Sequence, residues 1–336
     1  MRFALWHRPP ATRRKRRRVC TVAGELIVAS EVLLFIDTNQ FLPIFGQSHG
    51  KKLLASIDEQ RGHIFITKQI VDEVNRNKLK LAADFFAVQL EKLPLSSFAV
   101  PDHLFGLGDE FPKGLGEHLK KLNESLAKVK GETTNLVLRT LAEISSSEDV
   151  TSKRLEPLFA SAAAPSNDEL SRARDRRERG NPPGKPDDPL GDQLSWEQLL
   201  TRCTGIKRLW LITKDRDYCT KIEKKLILNP LLHSDLKAVS SDIQVKCFDQ
   251  LSHGIVDFTK NSGVTSARLP NADEIKAIEK EEESFPDFEA MSQRASALLE
   301  KLRSLNYPGV VSATCETESG GTSTDGGCSP FVPSTS

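Results

Sequence analysis

Five acids stand at points in the chain where folding could gather them: Asp37, Glu73, Asp192 and the pair Asp215 and Asp217. Asp37 follows the apolar run Val32-Leu33-Leu34-Phe35-Ile36, and Asp215 and Asp217 follow Arg208-Leu209-Trp210-Leu211-Ile212-Thr213. Glu73 and Asp192 fall in the early turns of predicted helices. In open parallel α/β sheets, ligand sites form beyond the carboxyl ends of the strands, where the connections diverge. Carboxylates packed there without compensation repel and raise one another's pKa, so such a cluster points to a divalent cation. Hard oxygen donors favour Mg²⁺ or Mn²⁺. The chemistry this implies is hydrolysis of a phosphodiester, in which the metal lowers the pKa of water and steadies the leaving oxygen.

The elements that must position these acids are legible in part. Val32 to Ile36 is a continuous apolar run of the kind that forms a strand buried on both faces. Lys51 to Gln60 reads as a helix, His63 to Ile66 as a second strand, and Thr67 as the N-cap of a helix bearing Ile70, Val71 and Val74 on one side. This βαβα order predicts a parallel sheet. Residues 77–165 read as a mostly helical insertion. The dense charge, Pro and Gly of 166–189 predict a flexible loop. An amphipathic helix then opens near Asp192, strands follow at Arg208 to Thr213 and at Ile243 to Phe248, and Asp273 to Leu305 is helix-rich with a break near Pro286.

The expected organisation is a disordered basic leader over 1–30, a principal domain over 31–255, a C-terminal helical extension over 256–307 and a disordered tail over 308–336. Lys+Arg and Asp+Glu nearly cancel at 47 and 46, so any nucleic-acid affinity must come from local charge. Six cysteines without a CxxC pair suggest reduced thiols and argue against zinc. No run approaches the roughly 18 apolar residues of a membrane span, and a soluble, cytoplasmic protein is expected.

Four segments carry a resemblance: Phe35-Ile36-Asp37-Thr38-Asn39, Ile70-Val71-Asp72-Glu73-Val74, Gly191-Asp192-Gln193-Leu194-Ser195-Trp196-Glu197, and Leu211-Ile212-Thr213-Lys214-Asp215-Arg216-Asp217-Tyr218. In content and order they resemble the acidic motifs of PIN domains, and most nearly the larger bacterial PIN-like proteins formerly catalogued as a domain of unknown function. The resemblance covers roughly residues 32–250. It implies a Rossmann-like three-layer α/β/α fold with a parallel central sheet, and Mg²⁺- or Mn²⁺-dependent cleavage of RNA, as in toxins of toxin–antitoxin pairs. It also implies an antitoxin or other inhibitor protein as a partner. By motif, Asp37, Glu73 and Asp192 become metal ligands, with Asn39 and Thr213 in support. Either Asp215 or Asp217 supplies the fourth acid, Asp217 ranking slightly ahead because an Asp before an aromatic recurs there. The interval between Glu73 and Asp192 departs from compact PIN toxins. Lys68, Arg76, Lys214 and Arg216 are the basic residues expected to hold a substrate backbone.

Singly, each acid also reads as a turn, cap or solvated helix residue. Trp196 and Trp210 read as core, and His49 and His63 as structural. Gly46 to Lys52 resembles a phosphate loop but has the wrong spacing and lacks the Ser or Thr for magnesium. An aspartyl-phosphate phosphatase would need a second acid where Asn39 stands. The remaining alternative is a PIN-like module that binds RNA or protein without cutting. The sequence leaves oligomeric state open.

Overall fold

The structure is a computed structural model that describes residues 31–92, 113–184, 190–223, 225–264 and 267–285. The expected leader over 1–30, the tail over 308–336 and the break near Pro286 lie outside these residues. The fold is mixed α/β and mostly helical, built around four parallel strands, and is consistent with a three-layer α/β arrangement. The strands are β1 (Val32–Ile36), β2 (Ile64–Phe65), β3 (Arg208–Ile212) and β6 (Gln244–Phe248), in the spatial order β2-β1-β3-β6. A separate antiparallel hairpin pairs β4 (Cys219–Ile222) with β5 (Lys225–Leu228).

Every residue of β1 is buried, as its unbroken apolar run requires of a central strand. The register sets the geometry of everything that follows: Ile36 pairs with Ile212, and Ile212 with Phe248. The next residues out of the sheet, Asp37 and Thr213, therefore emerge side by side. Backbone bonds from Asp37 N to Ile212 O (3.0 Å) and from Thr213 N to Phe248 O (2.9 Å) carry the ladder one step past the strands. Because the chain leaves β1 towards β2 on one side and returns as β3 on the other, this is the switch point of the sheet.

Helices cover the sheet. The short α1 (Thr38–Phe41) turns the chain away from β1, and α2 (Leu54–Gln60) precedes β2. Thr67, bonded to Ile70 N at 3.3 Å, caps α3 (Lys68–Glu91). α3 continues unbroken through the position where the helical insertion was expected to begin. It is followed by α4 (Lys113–Ser145) and α5 (Val150–Phe159), with a small satellite core where Ala82 and Ala83 meet Val137, Leu141 and Ile144. Within the expected flexible loop the structure instead has α6 (Asn167–Glu178). A reciprocal capping box between Ser166 and Glu169 opens α6, and Ala173 and Arg176 are buried along it.

α7 (Gly191–Arg202), α8 (Pro230–Val239), α9 (Leu251–Asn261) and α10 (Ala272–Ser284) complete the described chain. The boundary drawn at 255 falls inside α9, so the principal domain does not end there. α9 lies close on β3, where a side chain at Gly254 would collide with Ile212, and Phe258 meets Trp210 edge-on at 5.0 Å. Trp196 and Trp210 are core residues, as expected. Among the described residues, no helix is long and apolar enough to cross a membrane.

Candidate metal centre

Asp37 is 7% exposed and fully engaged. Its Oδ1 accepts from Thr38 N at 2.7 Å, and its Oδ2 accepts from Asn39 Nδ2 at 2.6 Å and from the Thr213 hydroxyl at 2.7 Å. Asn39 in turn accepts from Lys214 N at 3.1 Å, so the turns after β1 and β3 are stitched together directly above the paired strand ends. The Thr38 hydroxyl donates to Glu73 Oε2 at 3.1 Å and brings the first two acids into one neighbourhood.

Asp192 arrives from α7. Gly191, just before it, packs closely on α3: an added Cβ would lie 2.5 Å from the Gln69 amide nitrogen and would displace that side chain. One turn on, the Ser195 hydroxyl meets that of Thr67 at 3.1 Å, fastening α7 to the start of the helix that bears Glu73. Glu197 is buried and receives Arg172 Nε at 2.9 Å and Arg176 Nε at 2.8 Å, while Trp196 Nε1 donates to Asp235 at 3.3 Å. The third motif thus divides its labour: one acid faces the site and the other polar residues fix the helix that delivers it.

The electrostatics report the convergence. Burial, with the neighbouring charges of Glu73 and Asp215, raises Asp37 to about 7 against the pull of Thr213 and the Thr38 N–H. Burial and then the charges of Asp192, Asp37, Asp215 and Glu73 push the Tyr218 phenol well above its ordinary value. These four acids, spread over the chain, act on one buried point.

Of the pair after β3, Asp215 is the one whose charge bears on both Asp37 and Tyr218. The sequence ranked Asp217 slightly ahead, but it is Asp215 that the turn brings towards Asp37. Asp215 N donates to the Thr213 hydroxyl at 3.0 Å, seating Asp215 beside Asp37, whereas Asp217 N donates back to Asp215 Oδ1 at 2.9 Å.

The donor set of carboxylate oxygens would suit a hard divalent cation. The acids are near but not closed: among the described residues no three His, Cys, Asp or Glu side chains are gathered tightly enough to hold an ion. Gathering them requires side-chain movement against their mutual repulsion.

The expected basic residues divide. Lys214 and Arg216 line a cleft of about 760 Å³ that opens from Thr213 and Asp215 towards Asp249 and Phe285. Lys214 is turned to α10, its amine donating to Glu282 O at 3.1 Å and lying 6.0 Å from the Phe285 ring. Burial lowers its pKa. Lys68 pairs with Asp72 at 3.0 Å on α3, and Arg76 is exposed one turn after Glu73. His49 bonds Glu281 of α10 at 2.8 Å, a structural role. Sequence reasoning missed Asp249, which follows β6 as Asp37 follows β1 and pairs with Lys221 at 2.6 Å in the same cleft. Its position after a strand was the available signal. Compared with family models, with curated proteins and with solved structures, the chain has no match.

Proposed function

We propose that this chain is a PIN-like, metal-dependent ribonuclease in which Asp37, Glu73, Asp192 and Asp215 hold Mg²⁺ or Mn²⁺. The observation that carries the reading is that these four acids come near one buried point at the switch point of a parallel sheet, with Asp37 buried and raised to about 7. A carboxylate is costly to bury, and the three donors that Asp37 satisfies offset that cost only in part, which favours a cation as its remaining partner. Bound among these acids, the ion supplies Lewis acidity towards a phosphodiester and lowers the pKa of water.

The protein's own contribution is preorganisation. Thr213, Asn39 and the Thr38 N–H hold both oxygens of Asp37 before any ligand arrives. Thr38 orients Glu73, and the Thr67–Ser195 contact fixes α7, the helix that carries Asp192, against the start of α3. Arg216, exposed along the cleft, supplies charge for a phosphate backbone, and Lys214 joins it once its amine leaves Glu282. RNA is the proposed substrate on the strength of the motif resemblance. A toxin-like role with a protein inhibitor is the further extension of that reading.

The wider spacing of the acids favours weighing one alternative, a PIN-like module that binds RNA or protein without cleaving it. The deciding experiment is Mn²⁺-dependent cleavage of a mixed RNA pool by wild type, Asp37→Asn, Asp215→Asn and Asp217→Asn. The expected outcome is a loss of about 100-fold or more for Asp37→Asn and Asp215→Asn, with Asp217→Asn near wild type. Equal cleavage by wild type and Asp37→Asn removes the catalytic assignment. No cleavage by any form, with Mn²⁺ binding absent, selects the non-cutting module.

A further inference from the structure

Tyr218 is 1% exposed, and its hydroxyl has no hydrogen-bond partner among the described residues. Its ring meets Trp196 edge-on with centroids 5.8 Å apart, and its carbonyl accepts from Asn229 N at 2.8 Å. Phenylalanine would satisfy both of those roles. A buried hydroxyl without a partner is unfavourable, so it has no structural return in the protein as it stands. The residue nevertheless lies close enough to the centre for the charges of its four acids, Asp192 first among them, to add to burial in raising the phenol.

Its relation to α7 identifies the acid it serves. Asp192 and Trp196 are four residues apart on α7 and so lie on one face of that helix. Tyr218 packs against Trp196, which places the phenol under the same face that carries Asp192. A phenol is a donor at neutral pH, and a carboxylate accepts.

We propose that Tyr218 is a positioning residue of the metal centre, its hydroxyl donating to Asp192 and holding that carboxylate in place as the acids close on a divalent cation. This rests on the metal-site reading above. A donor that waits unpaired until the acids close gives the substitution Tyr218→Phe an unusual signature: the cation-free fold gains or is unchanged, while cation binding weakens.

The test uses the full chain with Mn²⁺ alone as probe, followed by electron paramagnetic resonance, beside thermal melts in a chelator. For Tyr218→Phe the expected result is a melting temperature equal to or above wild type without cation, an Mn²⁺ dissociation constant raised about tenfold, and an altered spectrum of the bound ion. Unchanged affinity and spectrum in Tyr218→Phe, with binding abolished by Asp37→Asn, would leave the metal centre standing and overturn the role of Tyr218. A cation-free fold that is lost or clearly weakened shows the hydroxyl to be structural and overturns it as well. Failure of the wild type to bind Mn²⁺ removes the metal-site reading and this inference together.

Discussion

The most consequential single atom pair in this protein is the carboxylate of Asp37, buried beneath two hydroxyl-bearing or amide side chains and pressed by Glu73 and Asp215. Its pKa of about 7 exceeds the ordinary 3.8, so the folded state keeps this proton over a range where the unfolded chain has released it. Folding stability then falls as pH rises from about 4 through about 7, by up to roughly 4 kcal/mol, and is flat beyond. Asp37→Asn removes the titration but turns one acceptor into a donor facing Asn39, a loss of about 1–2 kcal/mol. In a chelator the variant should therefore be more stable than wild type by about 2–3 kcal/mol at about pH 8, and not at about pH 4. Urea unfolding at the two pH values measures this; parallel pH dependence in the two proteins would show that Asp37 is not the buried acid described.

At the scale of elements, the third motif shows how a helix is aimed. Arg176, 9% exposed, bridges Glu197 of α7 at 2.8 Å and Asp235 of α8 at 2.7 Å, and Arg172 adds a second contact to Glu197. Removing one member of a buried charge network costs about 3–5 kcal/mol, because the remaining charges stay desolvated. Glu197→Gln keeps the shape and part of the bonding, so a cost near the lower end, about 3 kcal/mol, is expected, with faster amide exchange over Asn167–Glu178. Exchange unchanged across α6 would mean that its own capping box holds it. The same network explains what the sequence concealed. The stretch around α6 has few large apolar residues, and its order comes from Glu197 and Asp235, partners outside it that local composition does not reveal. The strands were readable for the opposite reason: β1 and β3 are apolar runs whose burial follows from their own residues. The choice between Asp215 and Asp217 was hidden because it depends on which backbone N–H reaches Thr213. The hairpin of β4 and β5 is local, but its connection lacks the Gly, Asn or Asp that marks a tight hairpin turn, and Glu223 takes a positive φ there; the role proposed for Tyr218 depends on contacts with α7 and was likewise not legible.

At the scale of the whole molecule, folding is what creates the proposed centre, since Asp37 and Asp215 are far apart in sequence and adjacent only once β1 and β3 pair. A cation that binds the folded form and not the unfolded chain therefore stabilises the entire fold, by about 2.7 kcal/mol when its free concentration is a hundred times the dissociation constant. For a folded body of this size that amounts to a rise in melting temperature of roughly 5–10 °C. The pH dependence has a definite sign. Below the pKa of Asp37 the ion must displace a proton, so the rise should be large at about pH 8 and small at about pH 5. Asp37→Asn should remove most of it at both values, and Ca²⁺, which prefers more ligands and longer bonds, should give less than Mn²⁺. Thermal melts across an Mn²⁺ series at the two pH values read all three dependences. A rise of the same size at both pH values, retained in Asp37→Asn, would locate the cation elsewhere on the protein and detach the buried acid from metal binding.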